Sequence, residues 1–176
     1  MLLGRTVKAA FFVVLLAWFS IVVPNLLKHS APTLQALPIA TLSTLGEQPV
    51  NLNAYTGRPV VLNLWASWCH PCRRELPTFE QAQTRYPAID FVMINQGESA
   101  QKVRTFLESQ HLKLKNVLLD PASQTMRAEG LQAIPTTLFF NEKGDLVDTH
   151  QGELTMTDLK NTVSHHLSEF QQTKAD

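Results

Sequence analysis

Hydrophobic positions along the 176-residue chain follow three successive patterns, and each predicts a different kind of structure. In the first, polar residues almost vanish. Residues Ala9 to Val23 read AAFFVVLLAWFSIVV, and past Pro24 and Asn25 the apolar stretch continues to Leu27. Nineteen helical residues at about 1.5 Å each span roughly 28 Å, close to the hydrocarbon thickness of a bilayer. Arg5 and Lys8 precede the stretch, so its N-terminal end is expected in the cytoplasm and everything after about residue 28 outside it. A cleaved signal peptide is the rival reading, but Asn25-Leu-Leu-Lys-His-Ser-Ala-Pro offers no small-x-small cleavage site. Residues 1–28 are therefore expected to be a single-pass signal-anchor. Residues 29–37, with Pro32 and no helical periodicity, follow as a short tether.

From residue 38 to about 170 the pattern alternates between strand and helix periods, and residues 171–176 form a polar tail. Two short extended segments, Leu37–Leu42 and Pro49–Leu52, flank the turn residue Gly46. Pro59-Val-Val-Leu-Asn-Leu-Trp65 is an almost unbroken apolar run, the mark of a strand buried on both faces. A helix is expected from near Cys69 to Tyr86, with Leu76, Phe79 and Ala82/Gln83 inward and a kink at Pro77. Ile89–Asn95 repeats the buried-strand pattern, Ser99 caps a helix to Gln110, and Val117–Leu119 makes a short strand. Ser123–Glu129 is a short helix stopped by Gly130. Thr137–Asn141 and Leu146–His150 form a hairpin, and Thr155 caps a last helix carrying Leu159, Val163 and Leu167. The fold class is thus α/β, a central mixed sheet flanked by helices, in one extramembrane domain.

Composition narrows the function. Apolar residues make up 44% and charged residues 17%, which excludes a disordered chain and a nucleic-acid-coating basic protein. Residues 1–46 carry three basic residues and no acid, leaving 12 basic against 15 acidic residues in the body. Two cysteines are too few for a disulfide scaffold or a four-cysteine zinc site.

Those two, Cys69 and Cys72 in Trp68-Cys69-His70-Pro71-Cys72, follow a buried strand and open a helix. Cysteines three apart at a helix start can reach disulfide geometry, and the helix's first amides favour a thiolate at the first of them. Cys69 is then the nucleophile that attacks a client disulfide, and Cys72, one turn deeper, resolves the mixed disulfide. Pro71 suits the first helical turn, where its missing N–H is not needed. His70, when protonated, would tune the thiolate further; as an exposed turn residue it would do nothing. A structural disulfide would constrain little chain, and zinc would need two more ligands from His29, His111, His150, His165 or His166, none suitably spaced. A copper-handling site built from the two cysteines and a distant histidine stays open. A second signal is Ala133-Ile134-Pro135-Thr136-Thr137, a proline at the entrance of a strand, compatible with a cis or a trans bond.

Taken together, the strand Val60–Trp65, Trp-Cys-x-x-Cys with Pro71, Pro77 and Ile-Pro-Thr resemble the thioredoxin superfamily. Asn63-Leu-Trp-Ala-Ser-Trp-Cys-His-Pro-Cys-Arg-Arg-Glu-Leu-Pro77 resembles its TlpA/ResA branch of membrane-anchored thiol–disulfide oxidoreductases, related to CcmG/DsbE. Gln96-Gly-Glu-Ser99, Leu119-Asp-Pro121 and Asn141-Glu-Lys-Gly-Asp145 extend the likeness over roughly residues 37–168. The resemblance implies a thioredoxin fold with an N-terminal β-hairpin extension and an α/β insertion around Ile89–Asp120. It implies a cis Pro135, with Ile134 and Pro135 contacting the client. It also implies that Glu75, three residues after Cys72, is an acid that tunes the pair and relays protons. Asn63 stands where ordinary thioredoxins carry a buried aspartate. Trp68 is expected to pack beside Cys69 and shield it, and Trp65 to lie in the core.

The expected activity is extracytoplasmic thiol–disulfide exchange, as a reductase of client-protein disulfides, with no cofactor or metal beyond the redox-active Cys69–Cys72 pair. Recharging by a membrane electron donor of the DsbD/CcdA kind, and clients such as the haem-site cysteines of apocytochrome c, are further implications. A monomer that binds no nucleic acid is expected. His70-Pro71 departs from the Pro-Thr usual between the cysteines of the CcmG/DsbE specialists, which leaves the client open. Disulfide donation and copper handling or metal-stress repair remain as alternatives.

Overall fold

The structure, a computed structural model, describes residues 42–168. The expected anchor over 1–28, the tether over 29–37 and the tail over 171–176 lie outside the described residues. Among those described, no helix is long and apolar enough to cross a membrane.

A seven-stranded mixed sheet organises the molecule. Its strands are β1 Leu42–Thr44, β2 Pro49–Val50, β3 Val60–Trp65, β4 Asp90–Gln96, β5 Asn116–Asp120, β6 Thr136–Phe140 and β7 Leu146–Gln151. They are arranged in the order β2-β1-β5-β4-β3-β6-β7. β3, β4 and β5 run parallel, while β6, β7, β1 and β2 join by antiparallel pairing. The helices are α1 His70–Arg85, α2 Ala100–Ser109, α3 Gln124–Ala128 and α4 Met156–His166, with a short 3-10 turn at Leu52–Tyr55. Two successive crossovers, β3-α1-β4 and β4-α2-β5, step the same way across the sheet, and a common right-handed sense places α1 and α2 on one face.

Strand alternation decides what each face buries. Val61 and Trp65 of β3, with Phe91, Met93, Val117, Leu119 and Phe139, pack under Leu76, Phe79 and Ala82 of α1, Val103 and Leu107 of α2, and Leu159 and Val163 of α4. Val60, Leu62 and Leu64 point the other way, into a second core with Leu42, Leu52, Val92, Ile94, Leu118, Leu138 and Phe140. Every residue of β3 is buried, as a central strand that is apolar everywhere but Asn63 requires.

The helix starts explain why these segments begin where they do. The Ser99 hydroxyl accepts the Lys102 N–H, and Thr155 with Asp158 makes a reciprocal capping box. Helix α3 is capped differently. Ser123 is left-handed with φ 49° and makes no side-chain cap. The buried Asp120 instead accepts the N–H groups of Gln124 and Thr125 at 2.8 and 2.7 Å, because the turn after β5 aims its carboxylate along the helix start. At the other end of the sheet, β1 covers Leu42–Thr44, and the rest of the expected Leu37–Leu42 strand lies outside the described residues. Helix α1 continues through Pro77, which lies exposed.

Candidate active site

Strand β3 ends at Trp65, and the Cys69 N–H donates to the Ala66 carbonyl at 3.1 Å, closing the turn that launches α1. Cys69 occupies the cap position: its Sγ accepts the Cys72 N–H at 3.3 Å. The two cysteines form a disulfide with Cα atoms 5.3 Å apart. Cys69 retains 5% of its surface and Cys72 none, so only the first sulfur can be approached from outside. His70 and Pro71 form the first two positions of α1, His70 exposed and Pro71 half-buried. The Ile134–Pro135 bond is cis, and the Ile134 carbonyl oxygen lies 3.8 Å from Cys69 Sγ. Residues 69 and 134 are thus brought together over the accessible sulfur.

Trp68 requires a correction. Expected to pack beside Cys69, it is 65% exposed, the one exposed large hydrophobic side chain among the described residues. The turn after β3 throws its ring outward, where it walls a groove of about 460 Å³ with Gly97, Met126, Ala133 and Ile134. Trp65 is fully buried in the core.

Behind Cys72 lies a polar seam in an otherwise apolar core. Asn63 points to the same face as Val61 and Trp65, opposite Thr137 of β6, and Glu75 reaches it from α1. Glu75 is 1% exposed. Its Oε1 accepts from Asn63 Nδ2 at 2.7 Å and its Oε2 from the Leu154 N–H at 2.8 Å. Asn63 Nδ2 also donates to Thr137 Oγ1 at 3.0 Å, while its Oδ1 has no partner. Burial pushes the Glu75 carboxyl up to about 7, against the opposing pull of its two hydrogen bonds, with the negative Glu153 adding to the rise. A carboxyl poised there holds or releases a proton near neutral pH, one helical turn from Cys72.

One group went unrecognised in the sequence except as part of Gln96-Gly-Glu-Ser99. Glu98, 4% exposed, accepts the Ser67 N–H at 2.7 Å, the Ser67 hydroxyl at 2.6 Å and Asn95 Nδ2 at 2.8 Å. The Lys102 ammonium lies 2.8 Å away. Burial alone would raise its proton affinity, but the donors from Asn95, Lys102 and Ser67 outweigh that and hold it below the usual carboxylate range. Glu98 stays charged and pins the turn two residues before Cys69. The nearest sequence signal was a glutamate just after a buried strand, which alone does not distinguish this from a solvated turn.

His165 and His166 are exposed on α4, and His150 Nε2 meets the Glu153 carbonyl at 3.2 Å. Among the described residues no three His, Cys, Asp or Glu side chains converge as a metal site. What the geometry can do is exchange disulfides: an accessible sulfur at a helix start, a resolving sulfur beneath it, and a buried acid behind.

Comparison with known proteins agrees. The family model described as Redoxin matches residues 29–165. The chain is 33% identical over 131 residues to the thioredoxin-like protein YneN of Bacillus subtilis, covering 72% of this chain and 75% of that one. It is 30% identical over 125 residues to the thiol-disulfide oxidoreductase ResA of Geobacillus thermodenitrificans, covering 70% and 71%. The crystal structure of StoA from Bacillus subtilis superposes with a TM-score of 0.61 at 28% identity, over 72% of this chain and 97% of that one. With its Cys69–Cys72 pair set in this fold, the chain belongs to the Redoxin family and is a thiol–disulfide oxidoreductase close to ResA and StoA.

Proposed function

We propose that this oxidoreductase works as a reductase of client-protein disulfides on the outer side of a bacterial cytoplasmic membrane, held there by residues 1–28. The Cys69 thiolate attacks one sulfur of a client disulfide, forming a mixed disulfide and expelling a client thiolate. Cys72 then attacks Cys69 Sγ, closing the Cys69–Cys72 disulfide and releasing the second client thiolate. Two electrons pass to the client, and its two sulfurs take up protons. The client chain lies along Ile134 and Pro135, in the groove walled by Trp68.

The observation that carries the direction is the burial of Glu75 beside Cys72. A negative charge in a low-dielectric site opposes formation of thiolates nearby. Strong oxidants of this fold depend on the opposite, a stabilised reduced form. An ionised Glu75 therefore makes the dithiol readier to give up its electrons, and the same carboxylate takes the proton that Cys72 must lose before it attacks Cys69 Sγ. The apolar run after Arg5 and Lys8 supports an anchored, extracytoplasmic placement. That placement calls for an electron donor within the membrane, of the DsbD/CcdA kind. Haem-site cysteines of apocytochrome c fit as clients because they must be reduced before haem attaches.

Two measurements test the reading. The reduction potential is expected near the thioredoxin value of about −270 mV, and a value near about −120 mV would make the protein a disulfide donor instead. Cys72→Ser is expected to accumulate a mixed disulfide with its client in the native compartment. Recovery of apocytochrome c in that adduct supports the named client, and its absence removes it.

A further inference from the structure

We propose that the Arg74–Glu153 ion pair is a positioning device for Glu75, fastening the loop between β7 and α4 to α1 so that the Leu154 amide stays on the Glu75 carboxylate. The inference rests on the reading of Cys69–Cys72 as the working dithiol with Glu75 as its acid. Two consecutive residues of α1 engage two consecutive residues of that loop. Arg74 Nε donates to Glu153 Oε2 at 2.8 Å, and Nη2 donates to the same oxygen. One position on, the Leu154 N–H donates to Glu75 Oε2 at 2.8 Å. The first rung is half in water, Arg74 51% and Glu153 35% exposed by side chain; the second is buried.

The loop between its own anchors is two residues long. Gly152, at φ +95°, donates its N–H to the Pro135 carbonyl at 2.9 Å, and Thr155 opens α4 with its capping box. Between these anchors only Glu153 and Leu154 are left to follow α1, and among the described residues the salt bridge is the side-chain tie between Glu153 and that helix. The Leu154 bond favours the ionised carboxylate, so a slackened loop raises the affinity of Glu75 for its proton. The charged groups facing this arrangement are few. Glu153, from the loop, acts on Glu75, while Arg74 and His70, both on α1, act on Glu153; from β7 the His150 Nε2 meets the Glu153 carbonyl at 3.2 Å, and from α4 Asp158 accepts the Thr155 N–H at 3.1 Å. Asn63 and Thr137 approach from the sheet as neutral partners.

Positioning and plain charge make opposite predictions for one variant. If Glu153 acted only through its field, removing it would lower the proton affinity of Glu75. If the ion pair holds the loop, removing it raises that affinity. The test follows the Glu75 carboxyl by carbon-13 NMR against pH in the full-length oxidised chain in detergent, where the disulfide does not titrate. The signal is assigned by its loss in Glu75→Gln. Glu153→Ala and Arg74→Ala are both expected to move the titration upward by about half a pH unit, the size an exposed ion pair can transmit. The charge-swapped Arg74→Glu/Glu153→Arg protein is expected to restore it. A downward shift in Glu153→Ala, a shift below about 0.1 unit in either single variant, or no rescue by the swap overturns the proposal. The reduction potential of the same proteins against pH separates the two readings. A bend that follows the NMR titration supports both. An NMR shift without any bend leaves the loop fastening standing and overturns the role of Glu75 as the acid of the pair.

Discussion

Replacing Glu75 by glutamine should make the oxidised protein more stable, and only above a particular pH. The folded carboxyl titrates at about 7 against an ordinary 4.5, raised mainly by burial. Its folded state therefore holds a proton that the unfolded chain gives up. Below pH 4.5 both states are protonated and Glu75 contributes no pH dependence. Between 4.5 and 7 the unfolded state binds fewer protons, so stability falls as pH rises; above 7 the loss is complete. At about 1.4 kcal/mol per pH unit, the difference comes to on the order of 3 kcal/mol. Glutamine keeps the shape and carries no charge. Its carbonyl can accept from Leu154, and its amide can meet Asn63, whose Oδ1 has no partner in the present arrangement. Urea unfolding of the oxidised proteins, followed by the fluorescence of the buried Trp65 from pH 4.5 to 9, should show two nearly matching stabilities at the acid end. The variant should be ahead by about 3 kcal/mol at pH 8 and above. A difference that does not change with pH, or a variant less stable at pH 8, would refute the assignment of a buried, neutral-range acid.

Other outcomes follow from the same geometry. Glu75→Gln should raise the reduction potential at pH 8 by tens of millivolts, about 30 mV for each 1.4 kcal/mol of lost charge repulsion, measured against glutathione. Trp68→Ala should leave the urea midpoint within about 0.5 kcal/mol of the parent, because the ring is exposed, while slowing the reduction of a peptide disulfide. Glu98→Ala should cost about 3 kcal/mol, since it removes a buried charge and strands the Asn95 and Ser67 donors; with the native Glu98, that part of the stability should disappear as pH falls through its depressed titration. Phe79→Ala should cost about 3–5 kcal/mol in the same urea assay, as a fully buried ring that α1 packs against the sheet.

The sheet and its helices were legible because they depend on local patterns. The run from Val60 to Trp65 is apolar at every position but Asn63, which only a central strand accommodates, and Thr155 and Ser99 cap helices through bonds three residues long. The cysteine pair was legible because its spacing and its place before a helix are both local. The features that escaped depend on distant neighbours or on the direction of a turn. Glu98 acquires its role from Ser67, 31 residues away. Asp120 caps α3 only because Ser123 adopts a left-handed backbone, which a serine does not announce. The outward turn of Trp68 is set by how β3 hands the chain to α1, and an aromatic residue beside a cysteine is equally compatible with an inward one.

The span of the site along the chain has a further consequence. Glu75 meets its amide partner 79 residues later, and Cys69 meets the Ile134 carbonyl 65 residues later. Contacts of such separation are slow to form and come late. A folding chain thus leaves Cys69 and Glu75 without these partners until β7 and the start of α4 have docked. The full reactivity of the pair is therefore a property of the completed domain, and a truncated chain that ends before Leu154 lacks the amide that Glu75 meets.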